Sequence, residues 1–284
     1  MYNQFFGFSE SPFNLSPDPR FLYRSRQHEE ALANLTYGVQ NRKGFIVLTG
    51  DAGTGKTTLL ECLRGFLNTQ RIAFASLFNS RVTPGQFFEM LAYDLDLRCA
   101  RTSKTEVLFA LNEMLLKQAE LGSTTVLIVD EAHNLDPEVL EEVRLLGNLE
   151  NPRGKLLQII LAGQTELDRK LEAPDLRQLK QRIVLRCNLD AFAAADTALY
   201  IRTRMACAGI ADQSVFPPAI LESIHQHSQG IPRLINSICD NLLLTCFAAE
   251  SNVVTEEMLE EVCQDMRLDA PDRRHAIATS HPLF

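Results

Sequence analysis

The predicted fold rests on one stretch of sequence, Gly50-Asp51-Ala52-Gly53-Thr54-Gly55-Lys56-Thr57, with Thr58 directly after it. The stretch matches G-x-x-x-x-G-K-[ST], in which the glycines let the backbone wrap until successive N–H groups point at phosphate oxygens. An apolar run, Phe45–Leu48, enters it and a helical pattern leaves it. Lys56 is therefore expected to reach the β- and γ-phosphates of ATP, with the hydroxyl of Thr57 on Mg²⁺. These features predict a phosphate-binding loop, which we call the P-loop.

A second motif closes an apolar run with two carboxylates, Val126-Leu127-Ile128-Val129-Asp130-Glu131. Its four aliphatic residues predict a buried strand, and Asp130 follows where that strand meets a loop. Asp130 is expected to hold Mg²⁺ through water, while Glu131 orients or deprotonates the attacking water. Because both carboxylates are present, the sequence predicts ATP hydrolysis rather than binding alone.

Apolar runs of strand length alternate with helical patterns in the part of the chain that surrounds these motifs. The expected strands are Phe45–Leu48, Ile72–Phe78, Val126–Val129, Leu156–Ala162 and Ile183–Leu189. Helices are expected at 26–41, after the P-loop, from the capping box at Thr83 toward Leu97, at 103–121 and from Asp136-Pro137. This alternation predicts an α/β fold with a parallel five-stranded sheet covered on both faces by helices.

Strand patterning stops after about residue 190, where four helical patterns follow at 191–208, 217–229, 232–249 and 255–266. The sequence therefore predicts four regions. They are an N-terminal arm and helix at 1–43, a P-loop ATPase core at 44–190, an all-helical lid at 191–268 and a flexible tail at 269–284.

Several further residues are candidates because of where they stand. Gln164 follows a predicted strand, so it either touches the γ-phosphate or attacking water or is a turn residue. A basic run before the last strand, Arg177 to Arg182, either acts on phosphate or is a solvated helix face. Arg233 begins a lid helix, so it either swings over the phosphates as the lid closes or is a surface cation.

Composition excludes several classes of protein. The 284 residues are 45% hydrophobic, enough for a large core, and carry a net charge of -8, which disfavours a generic polyanion-binding surface. The apolar runs stay far below the ~20 residues of a membrane span. The N-terminus shows no secretory signal pattern. The seven cysteines are odd in number and form no C-x-x-C pair, which favours a reducing, cytoplasmic compartment.

The order of four features along the chain resembles that of the AAA+ ATPases. They are the P-loop, the Asp-Glu strand end, the strand-end Gln164 and Gly-x-Pro-Arg in a helical region. By that resemblance, Gln164 takes the sensor-1 position and Arg233 the sensor-2 position. Arg182 or Arg177 would be the arginine finger that acts on a neighbouring subunit's nucleotide, which implies a homo-oligomer formed or stabilised by ATP. The family usually has Asn or Thr at sensor 1, so Gln164 is a departure.

A narrower resemblance covers residues 1 to about 268 and points to the ExeA/GspA-type general secretion pathway ATPases. The segments that carry it are Phe5–Phe8, Ser11–Phe13, Pro17–Tyr23, His28, Ala31-Leu32, Leu48–Gly50, Asp130–Leu135, Leu161–Gln164 and Gln178–Ile183. Most of these positions are not dictated by ATP binding, so the set is specific. Relatives include the MSHA-pilus and exosortase-associated ATPases and, more distantly, the TniB-type transposition ATPases.

Members of that family continue into a transmembrane helix and a periplasmic peptidoglycan-binding domain, whereas this chain ends at Phe284 with neither. The expectation is therefore either a truncated chain or a soluble relative that reaches the inner membrane through a protein partner. Three functions stay open: an ATPase for assembly of a secretion, pilus or exopolysaccharide machine, a DNA-linked AAA+ ATPase, and a nucleotide-dependent scaffold with little hydrolysis. The negative net charge disfavours DNA, and Glu131 argues against the scaffold.

Overall fold

The computed structural model describes residues 2–77, 81–100, 103–210 and 214–268, and these form two compact units. One unit contains Pro17–Asp190, and the other contains the described residues of Met1–Ser16 and Ala191–Phe284. The strands are β1 (Phe45–Gly50), β2 (Ala73–Leu77), β3 (Thr125–Val129), β4 (Glu150–Asn151), β5 (Gly154–Lys155), β6 (Leu157–Gly163) and β7 (Ile183–Leu189). The helices are α1 (Tyr2–Phe6), α2 (Arg26–Gln40), α3 (Lys56–Thr69), α4 (Pro84–Asp94), α5 (Lys104–Glu120), α6 (Pro137–Leu146), α7 (Glu166–Leu171), α8 (Arg177–Lys180), α9 (Ala194–Cys207), α10 (Pro218–Ser228), α11 (Pro232–Ala248) and α12 (Glu256–Asp265).

The larger unit is built on a parallel sheet with the strand order β2-β3-β6-β1-β7. This confirms the predicted α/β class and the five predicted strands, which shift by one or two residues at their ends. The predicted end of the second strand, Phe78, lies outside the described residues. A short antiparallel hairpin, β4 with β5, precedes β6 and was not predicted.

Burial follows strand position in the sheet. The three inner strands, β1, β3 and β6, are buried along their whole length, which explains why their sequences are continuous apolar runs. The edge strand β7 instead alternates, with exposed Val184 and Arg186 between more buried neighbours. Polar side chains that could act on a ligand are therefore expected at the ends of the inner strands.

Helices cover both faces of the sheet, as the alternating pattern predicted. Alternate residues of β1 divide between two cores: Val47 packs with residues of α4, α5 and α6, whereas Ile46 and Leu48 pack with residues of α2 and α3. The capping box that begins α4 is present, with Thr83 and Gln86 bonded reciprocally. The helix at Pro137 also begins where predicted, but the side chain of Asp136 makes no capping hydrogen bond.

The second unit contains helices α9 to α12 together with the N-terminal segment. Arg204 on α9 holds that segment: its Nε donates to Pro12 O at 2.5 Å and its Nη2 to Asn14 O at 3.1 Å. The two compact units divide the chain between Ser16 and Pro17, within the predicted N-terminal arm and helix at 1–43. The predicted tail, 269–284, lies outside the described residues.

Within the described residues, no helix combines the length and the apolar character that a membrane crossing requires. The longest helices, α5 and α11, have 17 residues each. Both carry polar positions along their length and belong to the folded units.

Candidate nucleotide-binding site

Parallel pairing brings the carboxyl ends of the inner strands to one edge of the sheet. Thr49 of β1 pairs with Gly163 of β6, and Leu161 of β6 pairs with Val129 of β3. The P-loop follows β1, Gln164 follows β6 and Asp130 follows β3. Because β6 lies between the other two strands, the register places Gln164 between the P-loop and the Asp-Glu pair.

The P-loop adopts a conformation that depends on its glycines. Gly53 has φ 85° and Gly55 has φ 101°, values that residues with a Cβ atom rarely adopt. Gly55 is the N-cap of α3, and Lys56 is the first residue of that helix. The backbone N–H groups of the loop therefore lie at the N-terminus of α3, the positive end of the helix. This arrangement suits phosphate binding.

Lys56 lies at the mouth of this loop with its side chain buried. Its Nζ donates to Gly50 O at 2.7 Å and to Asp51 O at 2.8 Å. Burial lowers the pKa of the ammonium, while the carboxylates of Glu131 and Asp130 act in the opposite direction. The Lys56 ammonium is thus poorly hydrated, and an incoming phosphate can replace the two carbonyls as its hydrogen-bond partner.

Thr57 and Asp130 supply the oxygens expected at a magnesium site. Thr57 Oγ1 donates to Asp130 Oδ2 at 3.3 Å, and Asp130 is buried. Mg²⁺ prefers hard oxygen ligands, one or two from the protein and the rest from water and phosphate. The two side chains fit that donor set. With nucleotide bound, Thr57 and the water held by Asp130 would face the metal, which would neutralise phosphate charge.

Glu131 stands beside this pair in an unusual backbone conformation. Its φ is 53° and ψ 33°, in the left-handed region, and its N–H donates to Asp130 Oδ1 at 2.9 Å. A residue without glycine's freedom is held there only when its surroundings require it, and such conformations are concentrated at functional sites. The side chain is 43% exposed, so a water molecule can reach the carboxylate.

His133 is a site residue for which sequence reasoning gave no role. It lies in the short 3₁₀ turn Ala132–Asn134 after Glu131, and its Nδ1 accepts from the backbone N–H of Gln164 at 3.2 Å. The same Nδ1 lies 3.4 Å from Glu131 Oε2. His133 therefore links the loop after β3 to the loop after β6. The sequence signal that could have identified His133 was its position two residues after Glu131.

A second link also joins the loops. Thr165 Oγ1 donates to Asp51 Oδ1 at 3.3 Å, so the residue after Gln164 contacts the P-loop. Gln164 itself is half-buried, and its placement at the end of β6 agrees with the position that the sequence predicted. That its side chain touches the γ-phosphate or the attacking water stays a prediction.

The predicted arginines do not join this group. Arg182 precedes β7, whose first residue pairs with the first residue of β1. It therefore lies at the amino ends of the strands, whereas the P-loop lies at their carboxyl ends. Seven strand residues of about 3.3 Å each separate it from the P-loop by roughly 20 Å. Its Nη1 donates to Arg144 O at 3.2 Å, and Arg177 is exposed on α8. At that distance Arg182 cannot serve the P-loop of its own chain.

Arg233 lies in the other compact unit. It is exposed in the first turn of α11, directly after Pro232. Gln229 and Gly230 precede it with φ 51° and 73°, so the chain turns sharply between α10 and α11. A Cβ at Gly230 would lie 2.0 Å from Phe192 O, which explains the glycine. The turn fixes where Arg233 emerges from its unit.

These features define a P-loop nucleotide-binding fold with a candidate metal-ligand pair beside the loop. The AAA domain family matches residues 39–171, a range that includes the P-loop, Asp130, Glu131 and Gln164, so the chain contains an AAA domain. Over 255 residues the chain is 44% identical to General secretion pathway protein A of Aeromonas hydrophila. That match confirms the resemblance predicted from the sequence. It covers 89% of this chain and 46% of the relative, so the chain spans about half the length of that protein.

Solved structures show the same fold at low sequence identity. Cdc6p of Pyrobaculum aerophilum superposes with a TM-score of 0.70 at 20% identity, over 90% of this chain and 70% of that one. The ORC2 protein of Aeropyrum pernix, in ADPNP-ADP complexes, gives a TM-score of 0.67 at 16% identity, over 90% of this chain and 72% of that one. At such identities the likeness establishes the fold alone.

Proposed function

We propose that this chain is a Mg²⁺-dependent ATPase. The observation that supports the proposal best is the 3.3 Å bond from Thr57 to Asp130, with Glu131 directly beside it. In this proposal the P-loop N–H groups and Lys56 hold the phosphates of ATP, and Thr57 and Asp130 hold the metal. Glu131 then draws a proton from the attacking water as that water bonds to the γ-phosphorus and the bond from this phosphorus to the bridging oxygen breaks, which releases ADP and phosphate.

A phosphate-release assay tests the proposal with one matched substitution. Glu131→Gln keeps the size and hydrogen-bonding reach of the side chain but cannot take a proton from water. It should bind ATP as the wild type does and hydrolyse it about 10²–10⁴ times more slowly, the usual contribution of a general base. Removing Mg²⁺ with EDTA should stop release in the wild type. Unchanged hydrolysis in the variant would place the base elsewhere.

We extend the proposal to an oligomer with shared sites. The P-loop cannot use Arg182 of its own chain because the residue lies at the far edge of the sheet. An arginine finger from Arg182 or Arg177 would therefore come from a neighbouring subunit. Arg233 would complete the site from the helical unit as sensor 2, with Gln164 as sensor 1. ATP then favours assembly, because it is bound by residues of two chains.

We propose that the ATPase serves assembly of a secretion, pilus or exopolysaccharide machine. Support comes from the 44% identity to a protein named for the general secretion pathway. The chain would work on the cytoplasmic side and reach the inner membrane through a protein partner. Replacing the chromosomal copy with the Glu131→Gln chain should block export or surface assembly while the protein accumulates normally. Normal export in that strain would contradict this role without touching the ATPase proposal.

A further inference from the structure

A buried histidine outside the predicted site contacts the P-loop from behind. His28 on α2 is 2% exposed, and its Nε2 lies 3.1 Å from Thr54 O. Its Nδ1 lies 2.8 Å from Ser25 Oγ. All three residues belong to the compact unit that carries the P-loop.

The partners of His28 determine which ring nitrogen carries the proton. A carbonyl oxygen such as Thr54 O can only accept, so Nε2 must be the donor. In the neutral ring Nδ1 then has a free lone pair and accepts from the Ser25 hydroxyl. Ser25 Oγ in turn accepts from the backbone N–H of His28 at 3.4 Å as the N-cap of α2. The contacts with Ser25 and Thr54 are both satisfied in this single arrangement.

The bond to Thr54 has a consequence for the phosphate side of the loop. A trans peptide is planar, so the C=O of Thr54 and the N–H of Gly55 point in opposite directions. Holding the carbonyl toward His28 therefore turns the Gly55 N–H away from α2. Gly55 has φ 101°, and a Cβ there would lie 3.0 Å from His28 Nε2, so the ring also packs against this peptide.

We propose that His28 is a positioning residue for the P-loop. By holding Thr54 O, it fixes the Thr54–Gly55 peptide with the N–H facing the phosphates before any nucleotide arrives. A preorganised N–H group binds phosphate without the entropy cost of ordering the loop. The inference rests on the proposed nucleotide-binding function of the same loop and names a residue that never touches the ligand.

Two substitutions of His28, to Gln and to Asn, differ by one methylene. They separate the hydrogen bond to Thr54 O from the packing of the side chain. In His28→Gln the amide nitrogen can occupy the place of Nε2 and donate to Thr54 O. In His28→Asn the amide is too short to reach that carbonyl. His225→Gln is a control in the other compact unit, because His225 also makes a ring-nitrogen contact, 2.9 Å from Thr197 Oγ1.

Binding of ATP and of tripolyphosphate is measured by calorimetry for each chain. His28→Asn should raise the Kd of ATP about tenfold, equivalent to about 1.4 kcal/mol. The Kd of tripolyphosphate should rise by the same factor, since His28 acts only on the phosphate side. His28→Gln should stay within about threefold of the wild type, and His225→Gln should match it. If His28→Asn does not fold, Ser25→Ala tests the same step by removing the hydroxyl that donates to Nδ1 and holds the ring in place, with an expected loss of about threefold.

Three results would overturn the inference. One is an unchanged Kd in His28→Asn, or in Ser25→Ala where that variant replaces it. Another is an equal loss in the Asn and Gln variants. The third is a loss confined to ATP with tripolyphosphate unaffected, which would place His28 at the nucleoside instead. A wild-type chain that binds neither probe would refute the proposed function itself, and this inference with it.

Discussion

Nδ1 of His133 accepts a hydrogen bond from the backbone N–H of Gln164 at 3.2 Å. An accepted bond at Nδ1 means that the proton of the neutral ring is on Nε2. Nδ1 therefore cannot donate to Glu131 Oε2, 3.4 Å away, in the same state. His133 thus ties the end of β6 to the turn that carries Glu131, and it leaves the carboxylate available to water.

His133→Ala should lower kcat about tenfold and leave the KM for ATP nearly unchanged. The substitution removes the acceptor that holds the loop after β6, yet it touches no phosphate-binding group. His133→Asn should recover most of the rate, because its Oδ1 can accept from Gln164 near the place of Nδ1. Steady-state phosphate release over a range of ATP concentrations measures both parameters. A tenfold rise in KM at constant kcat would contradict the assignment.

Lys56→Met should weaken ATP binding by about 10–100-fold, the loss expected for hydrogen bonds from a charged group. The apo protein should lose little stability, since the burial that lowers the pKa of Lys56 disfavours its charge in the folded state and offsets the loss of its bonds to the Gly50 and Asp51 carbonyls. Calorimetric titration gives the affinity, and thermal unfolding without nucleotide gives the stability. A melting temperature lowered by more than a few degrees would show that the lysine supports the fold instead.

Arg182→Ala should bind ATP normally and hydrolyse it slowly. Mixing it with Lys56→Met should restore part of the activity, because the second chain brings an intact Arg182 to the intact P-loop of the first. Lys180→Ala is a suitable control, as Lys180 lies in the same run and is paired with Glu172. Co-assembly of the two variants without recovery would shift the finger to Arg177. A specific rate that stays constant over a wide dilution of monomeric wild type would contradict shared sites altogether.

Arg204→Met should destabilise the helical unit by about 3 kcal/mol, since it leaves the carbonyls of Pro12 and Asn14 without their donor. Tyr200→Phe is the milder comparison and should cost about 1 kcal/mol. It removes one hydroxyl that bonds Arg204 and Asn236. Urea unfolding compares the two variants. Limited proteolysis should cut the N-terminal segment of Arg204→Met first, and unchanged cleavage there would contradict the role of Arg204.

The alternation of apolar runs and helical patterns was sufficient to predict the sheet, because strands buried on both faces must be continuously apolar. The P-loop and the Asp130-Glu131 pair were equally visible, since their chemistry depends on residues adjacent in sequence. The hairpin of β4 and β5 escaped prediction because two-residue strands have no periodicity to read. The missing cap at Asp136 shows that a favourable residue type does not by itself form the bond.

Sequence alone identified the candidate residues for phosphate, metal and water, because local spacing sets the loop and helix that present them. Only the tertiary structure decided which other residues contact them. His28 meets Thr54 and His133 meets Gln164 across 26 and 31 residues of chain, through the packing of α2 behind the P-loop and the pairing of β3 with β6. Arg182 was placed at the far edge of the sheet by the parallel register of β7 with β1. Such contacts depend on strand order and helix packing, which no local pattern records.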